Sequence, residues 1–370
     1  MLWQSVHWKV ALVANSDVRI FIYEYVTGGG MLTQPQMSGL QTALLREGDA
    51  MLHALVEDFA KLPNIQVCTT RDARLARNTL LDGKVFPVAD PEEERATFDR
   101  LATHSDWTVV IAPEFDNILF DRVSRVSSLG GRLLGPGCDI IRLTADKHAT
   151  ALHCHRRGFR VPEGIALQRG DPLPKDWRFP AIWKPRFGAG SQDMVLFERP
   201  DNQWRSPTEG RLEELCPGLP VSGVVLGGLS QIISLPAARQ CLGEDGTFSY
   251  QGGTTPLPAA LNSRATRLAT RVAQSLGPFL GYVGVDMILG CNAGEDWVIE
   301  VNPRFTTSYV GMRAYVQNNL AAVMLSLAKG TGEKLTFHDH CVQFSADGSL
   351  SKFFPICNNE HLFGSDYSDN

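Results

Sequence analysis

Apolar residues recur along this chain in two patterns. Short runs rich in Val, Ile and aromatic residues, bounded by Gly, Asn or Pro, predict strands. Longer stretches with apolar residues three and four positions apart predict helices. The two patterns alternate between residues 18 and 139, as is typical of an α/β domain. The predicted strands of this domain lie at 19–25, 65–69 and 108–112, and its helices at 38–61 and 92–105.

The pattern predicts two more folded regions. Residues 140–220 contain a helix that starts at Thr144 or Asp146 and ends near Gly158, followed by two short strands, the second at 194–197. Residues 221–335 contain a β-hairpin with strands at 283–289 and 297–301, and helices at 262–276 and 310–329. Residues 1–17 are interpreted as an N-terminal extension and residues 336–370 as a C-terminal tail. A chain of 370 residues is long enough for two or three domains.

The predicted hairpin in residues 221–335 brings oxygen ligands together. If its turn is centred on Ala293, Asp286 pairs with Glu300. Because side chains alternate along a strand, Asn302 shares the face of Glu300. Two neighbouring carboxylates repel each other unless a cation lies between them, and oxygen ligands of this kind suit Mg²⁺. The same pattern also fits an ordinary surface hairpin whose acids face solvent.

Two lysines upstream are placed where they could contact phosphate. Lys184 lies on a predicted buried strand and precedes a loop containing Gly188, Gly190 and Ser191. Glycines let backbone N–H groups approach a phosphate closely, and the lysine adds a positive charge. Lys147 lies in the first turn of a predicted helix, where a positive charge opposes the helix dipole. A solvated side chain is the alternative interpretation of Lys147. The loop after Lys184 is not a Walker A motif, since the chain contains none.

The order of these motifs resembles the ATP-grasp superfamily of carboxylate–amine ligases, over roughly residues 133–312. The resemblance implies an α+β ATP-grasp fold: an N-terminal α/β pre-ATP-grasp domain, then two ATP-grasp subdomains with the nucleotide between them. It implies that Lys147 and Lys184 hold the phosphates of ATP while the glycine loop closes over the nucleotide.

The resemblance also implies a metal site and a catalytic arginine. Asp286, Glu300 and Asn302 are the implied ligands of Mg²⁺, with Mn²⁺ as an alternative ion. Arg304, which follows the Asn-Pro pair, is implied to steady the transferred phosphoryl group or the acyl phosphate. Arg304 and Lys184 are therefore the implied catalytic residues.

The hinge between the two subdomains fits the family pattern less well. Its best match begins at Glu213, and the backbone of Glu214 and Leu215 is expected to contact the adenine edge. Leu219 stands where the family often has an acid for the ribose. A shifted register or another ribose-binding residue would each explain this departure.

A short motif in the first strand narrows the resemblance. Residues 24–30, Glu-Tyr-Val-Thr-Gly-Gly-Gly, look like the start of the tyramine–glutamate ligase group of ATP-grasp proteins, which serves methanofuran-type cofactor biosynthesis. Glu24, Tyr25 and Gly29 are therefore expected substrate contacts, because ligands often bind where a strand meets a glycine turn. Thr306 and Thr307, just after Arg304, are further expected contacts.

Composition restricts the partners of the protein. A net charge of −5 argues against binding of a nucleic-acid backbone. No apolar run reaches the roughly 18 residues that a membrane-spanning helix needs. The eight cysteines form no CxxC pair, which fits reduced thiols. We therefore expect a cytoplasmic protein that binds a small acid and a small amine and neither nucleic acid nor membrane, with a homodimer left open.

The resemblance predicts ATP-dependent amide formation through an acyl phosphate, joining glutamate to tyramine or a related amine. Two alternatives remain. The first is an ATP-grasp ligase for dipeptides or peptidoglycan precursors. The second is a regulatory protein that binds ATP without catalysis, although such a relative would be expected to lack a magnesium ligand or Arg304, and all of these are present.

Overall fold

The computed structural model describes residues 17–33, 39–75, 82–188, 193–243 and 248–355. Its first unit is a parallel four-stranded sheet with strand order β3-β2-β1-β4. Every residue of β4 is buried, as expected for a parallel sheet covered on both faces. The predicted α/β character of this region is confirmed. The elements are β1 (Val18–Glu24), α1 (Gly39–Ala60), β2 (Ile65–Asp72), β3 (Lys84–Val88), α2 (Pro91–His104), β4 (Trp107–Ile111) and α3 (Ile118–Ser128).

The second unit is a small antiparallel sheet preceded by two short helices. Its strand order is β5-β8-β6-β7. It has a core of its own, centred on Trp183 and Leu212 and separate from the cores of the other sheets. A sheet with an independent core can move as a unit relative to its neighbours. The elements are α4 (Cys138–Ala145), α5 (Lys147–Arg156), β5 (Gly164–Leu167), β6 (Ala181–Pro185), β7 (Val195–Phe197) and β8 (Gly210–Glu214).

The third unit is an antiparallel sheet, the large sheet, with the strand order β14-β13-β9-β11-β12-β15-β16. Strand β10 pairs with β9. Helix α6 packs on one face through small residues such as Ala265 and Ala269. The strands are β9 (Leu219–Gly227), β10 (Ile232–Ser234), β11 (Ala238–Leu242), β12 (Tyr250–Thr255), β13 (Gly281–Leu289), β14 (Trp297–Asn302), β15 (His340–Ser345) and β16 (Leu350–Pro355). The helices are α6 (Ala259–Ser275), α7 (Ser308–Tyr315) and α8 (Leu320–Ala328).

Two sequence predictions in this third unit are wrong. The helix predicted at 310–329 is two helices, because Val316 bridges to Phe337 and the Asn319 side chain caps α8 by accepting from the Ala322 N–H. Residues 336–370, interpreted as a tail, include β15 and β16. Strand β15 pairs with β12, so this segment extends the large sheet.

The first and third units share one apolar core. Ile22 of β1 and Leu52 of α1 belong to the same buried cluster as Tyr282 of β13 and Met324 of α8. A buried polar contact reinforces this junction: Asp58 of α1 accepts hydrogen bonds from Tyr309 and Arg313 of α7. The parallel sheet and the large sheet therefore hold a fixed relative position.

Among the helices in the described ranges, none combines the length and apolarity that crossing a bilayer requires. The seven cysteines in the same ranges are free thiols.

Candidate active site

The hairpin of β13 and β14 places Asp286 opposite Glu300, as the sequence predicts. The register shifts by one between Asp286 and Met287, so a bulge separates this pair from the turn. The Asn302 amide donates to Asp286 Oδ2 at 2.9 Å, and the Gln240 amide donates to Asp286 Oδ1 at 2.9 Å. The two acids and the amide therefore lie together on one face of the hairpin. Gln240, on β11, is a member of this group that the sequence motifs did not identify.

The two acids of the hairpin have opposite electrostatic environments. Burial, and then repulsion by Glu300, raises the pKa of Asp286 from 3.8 to about 6. Burial also acts to raise the pKa of Glu300, but the positive charges of Lys147 and Lys184 outweigh it and hold that pKa below its ordinary value. A cation beside Asp286 would relieve the repulsion that it experiences.

The residues present fit a magnesium ion whose coordination is completed by ligands from outside the protein, such as phosphate. Within the described part of the chain, no three His, Cys, Asp or Glu side chains gather as a metal cluster. Two carboxylates and one amide oxygen are too few to fill an octahedral shell, and Mg²⁺ ordinarily completes such a set with water and substrate phosphates.

Lys147 joins the helix, the glycine loop and the hairpin. It is the first residue of α5, whose N-cap is Asp146. Its Nζ lies 2.8 Å from Glu300 Oε1 and donates to the Gly188 carbonyl oxygen at 2.7 Å. The two sequence motifs that contain Lys147 and Gly188 therefore meet at the hairpin. Gly190 and Ser191, the other loop residues predicted to bind nucleotide, lie outside the described residues.

Lys184 is buried and held by Glu213. Its Nζ lies 2.6 Å from Glu213 Oε1, and the other oxygen of Glu213 accepts from Arg211 Nε at 2.7 Å. Burying a lysine is costly unless its charge is paired, and Glu213 provides that pairing. The carboxylate of Glu213 is thus an anchor for Lys184, a role that the sequence motif did not suggest.

A cavity of ≈ 550 Å³, the large cavity, lies between the small sheet and the large sheet. Glu214 and Leu215 line it, and their backbone N–H groups donate to the carbonyl oxygens of Glu163 at 3.0 Å and Pro180 at 3.3 Å. Their contact with the adenine edge stays a prediction. Leu219 packs against the core beneath α6 and is not among the residues that line the cavity. The cavity is walled mainly by apolar side chains and has Lys184, Asp286 and Glu300 at one end.

A second cavity, of ≈ 110 Å³, the small cavity, is lined by Asp286, Glu300 and Asn302 of the hairpin. Asp286 and Glu300 line both cavities, so the hairpin stands at their junction. Helix α1, the ends of β1 and β4, the loop after β14, and single residues of β9, β11 and β12 also contribute to its wall. The predicted substrate contacts that line it are Glu24, Thr306 and Thr307.

The structure does not bring Tyr25 and Gly29 to the small cavity. The Tyr25 ring faces the guanidinium of Arg122 at 5.9 Å, and Gly29 packs against Val88 and Glu94. The backbone turns after Glu24, because the Val26 and Thr27 N–H groups donate to the Glu24 carboxylate at 3.2 and 2.6 Å. This turn directs Glu24 inward and carries the following residues away from the cavity.

Glu24 is enclosed in the wall of the small cavity. It is only 3% exposed, and burial raises its pKa from 4.5 to about 7. Gly48 of α1 packs directly on its carboxylate, where a Cβ would lie 2.5 Å from the carboxyl carbon. A glycine is therefore required at this position for α1 to approach β1.

Arg304 extends from the hairpin to a partner in the parallel-sheet domain. Its Nε and Nη2 donate to Glu114 Oε1 and Oε2 at 2.9 and 3.0 Å. This bidentate geometry fixes the plane of the guanidinium. Glu114 follows β4 and lies 190 residues from Arg304 in sequence. No local sequence signal identifies such a partner.

Two domain models match the chain. Residues 65–140 match the pre ATP-grasp 3 domain, and residues 144–308 match the ATP-grasp domain. The first match lies mostly in the parallel-sheet domain, and the second covers the small sheet and most of the large sheet.

A curated protein and two solved structures resemble the chain over most of its length. The tyramine–L-glutamate ligase of Methanocaldococcus fervens is 23% identical over 320 residues, which cover 86% of this chain and 96% of that protein. A crystal structure of an ATP-grasp superfamily protein from Archaeoglobus fulgidus has a TM-score of 0.66 and 21% identity, covering 88% and 92% of the two chains. The ADP complex of N5-carboxyaminoimidazole ribonucleotide synthetase has a TM-score of 0.65 and 15% identity, covering 89% and 82%. At these identities the two structures show a shared fold alone.

Proposed function

This chain is an ATP-grasp protein with a pre-ATP-grasp domain ahead of its ATP-grasp domain, and we propose that it is an ATP-dependent carboxylate–amine ligase. The observation that carries the proposal is the position of the hairpin. Asp286 and Glu300 line both the large and the small cavity, with Lys147, Lys184 and Arg304 around them. Phosphoryl transfer requires this arrangement: a nucleotide on one side, an acceptor on the other, and positive charge between them.

The proposed reaction activates a carboxylate that would otherwise not react with an amine. An oxygen of the acid attacks the γ-phosphorus of ATP, and ADP leaves. The amine then attacks the carbonyl carbon of the acyl phosphate, and phosphate leaves as the amide forms. Holding the amine beside the acyl phosphate lowers the barrier, by roughly 7 kcal/mol or more in favourable cases.

Each basic residue has a proposed role in this sequence. Lys147 and Lys184 bind the phosphates of ATP, and Arg304 holds the transferred phosphoryl group or the acyl phosphate against the hairpin. Glu114 keeps the guanidinium of Arg304 oriented. Asp286, Glu300 and Asn302 would hold Mg²⁺, which would supply positive charge to offset the negative charge of the phosphates.

We further propose that the acid is glutamate, activated at its γ-carboxylate, and that the amine is tyramine or a related aromatic amine. The proposal rests on the similarity to the tyramine–L-glutamate ligase over most of both chains. In the wall of the small cavity, apolar side chains such as Leu44 and Met51 stand beside charged ones, but its ≈ 110 Å³ would have to widen to admit both substrates. A cytoplasmic location follows from the substrates and the free thiols.

Trapping of the acyl phosphate tests this function. The protein is incubated with ATP, Mg²⁺, hydroxylamine and one acid at a time, and hydroxamate and ADP are measured. We expect glutamyl hydroxamate from glutamate, and much less product from glutamine, which lacks the γ-carboxylate. Hydroxamate from another acid and not from glutamate would refute the substrate assignment. Absence of both hydroxamate and ADP with every acid would refute the ligase.

A further inference from the structure

Glu47 is an acidic residue in the wall of the small cavity and has no role in the proposed reaction as described above. It lies on α1, one residue before Gly48, and belongs to the parallel-sheet domain. Three other acids line the same cavity, and each has a partner. Glu24 accepts two backbone N–H groups, Asp286 accepts from Asn302, and Glu300 pairs with Lys147.

Within the described residues, Glu47 makes no hydrogen bond or ion pair. It is half-buried, and burial raises its pKa above the ordinary value, while the charge of Arg304 partly offsets this effect. The hydroxyl of Tyr250, also in the cavity wall, is buried and has no hydrogen bond of good geometry in the described residues, although Thr307 and Ser308 lie near it. The carboxylate of Glu47 and the hydroxyl of Tyr250 are therefore available to bind a ligand in the small cavity, close to Arg304.

The chemistry of amide formation requires such an acceptor. A primary alkyl amine is an ammonium ion at neutral pH and has no lone pair with which to attack. A carboxylate beside the amine would stabilise the ammonium ion on binding and then remove its proton. A base whose pKa lies nearer to neutral than that of a solvated glutamate is better matched to this task.

We propose that Glu47 binds the ammonium group of the amine substrate and accepts its proton before attack. The proposal rests on the ligase function proposed above. One N–H bond of the ammonium breaks and the proton passes to the Glu47 carboxylate. The freed lone pair forms the C–N bond, and the C–O bond of the acyl phosphate breaks. The second proton passes from nitrogen to the departing phosphate, which leaves as HPO₄²⁻, and Glu47 later returns its proton to solvent.

A comparison of two nucleophiles tests this role in the full-length protein. Tyramine is charged at neutral pH and needs a base, whereas hydroxylamine is uncharged and does not. With glutamate, ATP and Mg²⁺, Glu47→Gln is expected to lower kcat/KM for tyramine at least a hundredfold. Hydroxamate formation from hydroxylamine should stay within about threefold of the unmodified protein. Glu47→Asp, which keeps the carboxylate, should recover part of the tyramine activity.

The outcomes separate this proposal from the function on which it rests. Equal losses with both nucleophiles, or full tyramine activity in Glu47→Gln, would overturn the role of Glu47 and leave the ligase intact. Failure of the unmodified protein to form hydroxamate would overturn the ligase and the role of Glu47 with it. Glu57→Gln is the matched control, because Glu57 lies on the same helix and pairs with Lys61 and Arg313, neither of which lines the cavity. It should leave both activities unchanged.

Discussion

Asp286 is a carboxyl group in surroundings that disfavour its charge. Its contacts with Gln240 and Asn302 fix its position, yet burial and Glu300 raise its pKa to about 6. Such a group is costly to keep ionised, and a cation with its phosphate ligands would remove that cost. At the scale of single residues, the proposed metal site therefore has a cost in stability when no cation is bound.

Replacing Asp286 by Asn should stabilise the protein without nucleotide or metal. A pKa raised from 3.8 to about 6 means that the folded state holds a proton that the unfolded chain has released. Stability therefore falls as pH rises from about 4 to about 6, and the full penalty, at most about 3 kcal/mol, is present above that range. We expect Asp286→Asn to raise the free energy of unfolding by about 1–3 kcal/mol at pH 8 and by little at pH 4. Urea denaturation at both values measures this, and a less stable variant at pH 8 would contradict it.

Glu300→Gln tests the other acid of the pair. The change keeps the shape of the side chain and removes the charge that Lys147 neutralises. We expect ligase turnover to fall by at least a hundredfold, as for the loss of a charged group that acts on the reacting phosphoryl. Circular dichroism should show an unchanged fold. Turnover near that of the unmodified protein would exclude Glu300 from the metal site.

At the scale of elements, the sequence predicts contacts within one hairpin but not contacts between residues of different domains. The pairing of Asp286 with Glu300 followed from turn residues and strand alternation within one hairpin, and it is confirmed. The same logic could not identify Glu114, because its partner Arg304 lies in another domain. The spacing of apolar residues also predicted one helix where the structure has α7 and α8, because this spacing continues across the break between them. At the break, the backbone around Val316 pairs with residues 336–338.

The small sheet carries Lys184, which we propose binds the phosphates of ATP. Lys184→Ala should weaken binding of a non-hydrolysable ATP analogue by about tenfold to a hundredfold, because a hydrogen bond to a charged group contributes roughly 1.5–3 kcal/mol. Isothermal titration calorimetry measures the affinity. Lys175→Ala, at an exposed lysine of the same unit, is the control. If affinity is unchanged in Lys184→Ala, the lysine serves only to neutralise Glu213.

At the scale of the molecule, the parallel-sheet domain contacts both Arg304, which follows the hairpin, and helix α7. Arg304 binds Glu114, and α1 carries both the Asp58 contact to α7 and Glu47 in the small cavity. With the shared apolar core, these contacts place side chains of the first domain in the wall of the small cavity. The small sheet has a core separate from those of the other two sheets.

Asp58→Ala tests how firmly the two large units are joined. It would leave the hydroxyl of Tyr309 without its acceptor and the guanidinium of Arg313 with the more exposed Glu57 as its remaining acidic partner in the described residues. Loss of one partner of a buried ion pair typically costs about 3–5 kcal/mol. Urea denaturation followed by tryptophan fluorescence should show a loss of this size. Asp99→Ala removes an exposed ion pair with Arg125 and should cost about 1 kcal/mol or less. Equal losses in the two variants would show that the junction is weak.

The central claim is that a carboxylate of the substrate becomes an acyl phosphate, and an oxygen label tests it most directly. Glutamate labelled with ¹⁸O in its γ-carboxylate is incubated with the protein, ATP, Mg²⁺ and tyramine, and the released phosphate is examined by mass spectrometry. The ligase mechanism predicts that each phosphate released during amide formation carries one ¹⁸O atom, because the C–O bond breaks after the oxygen has joined phosphorus. Phosphate without label, or label recovered in AMP, would contradict the acyl-phosphate mechanism.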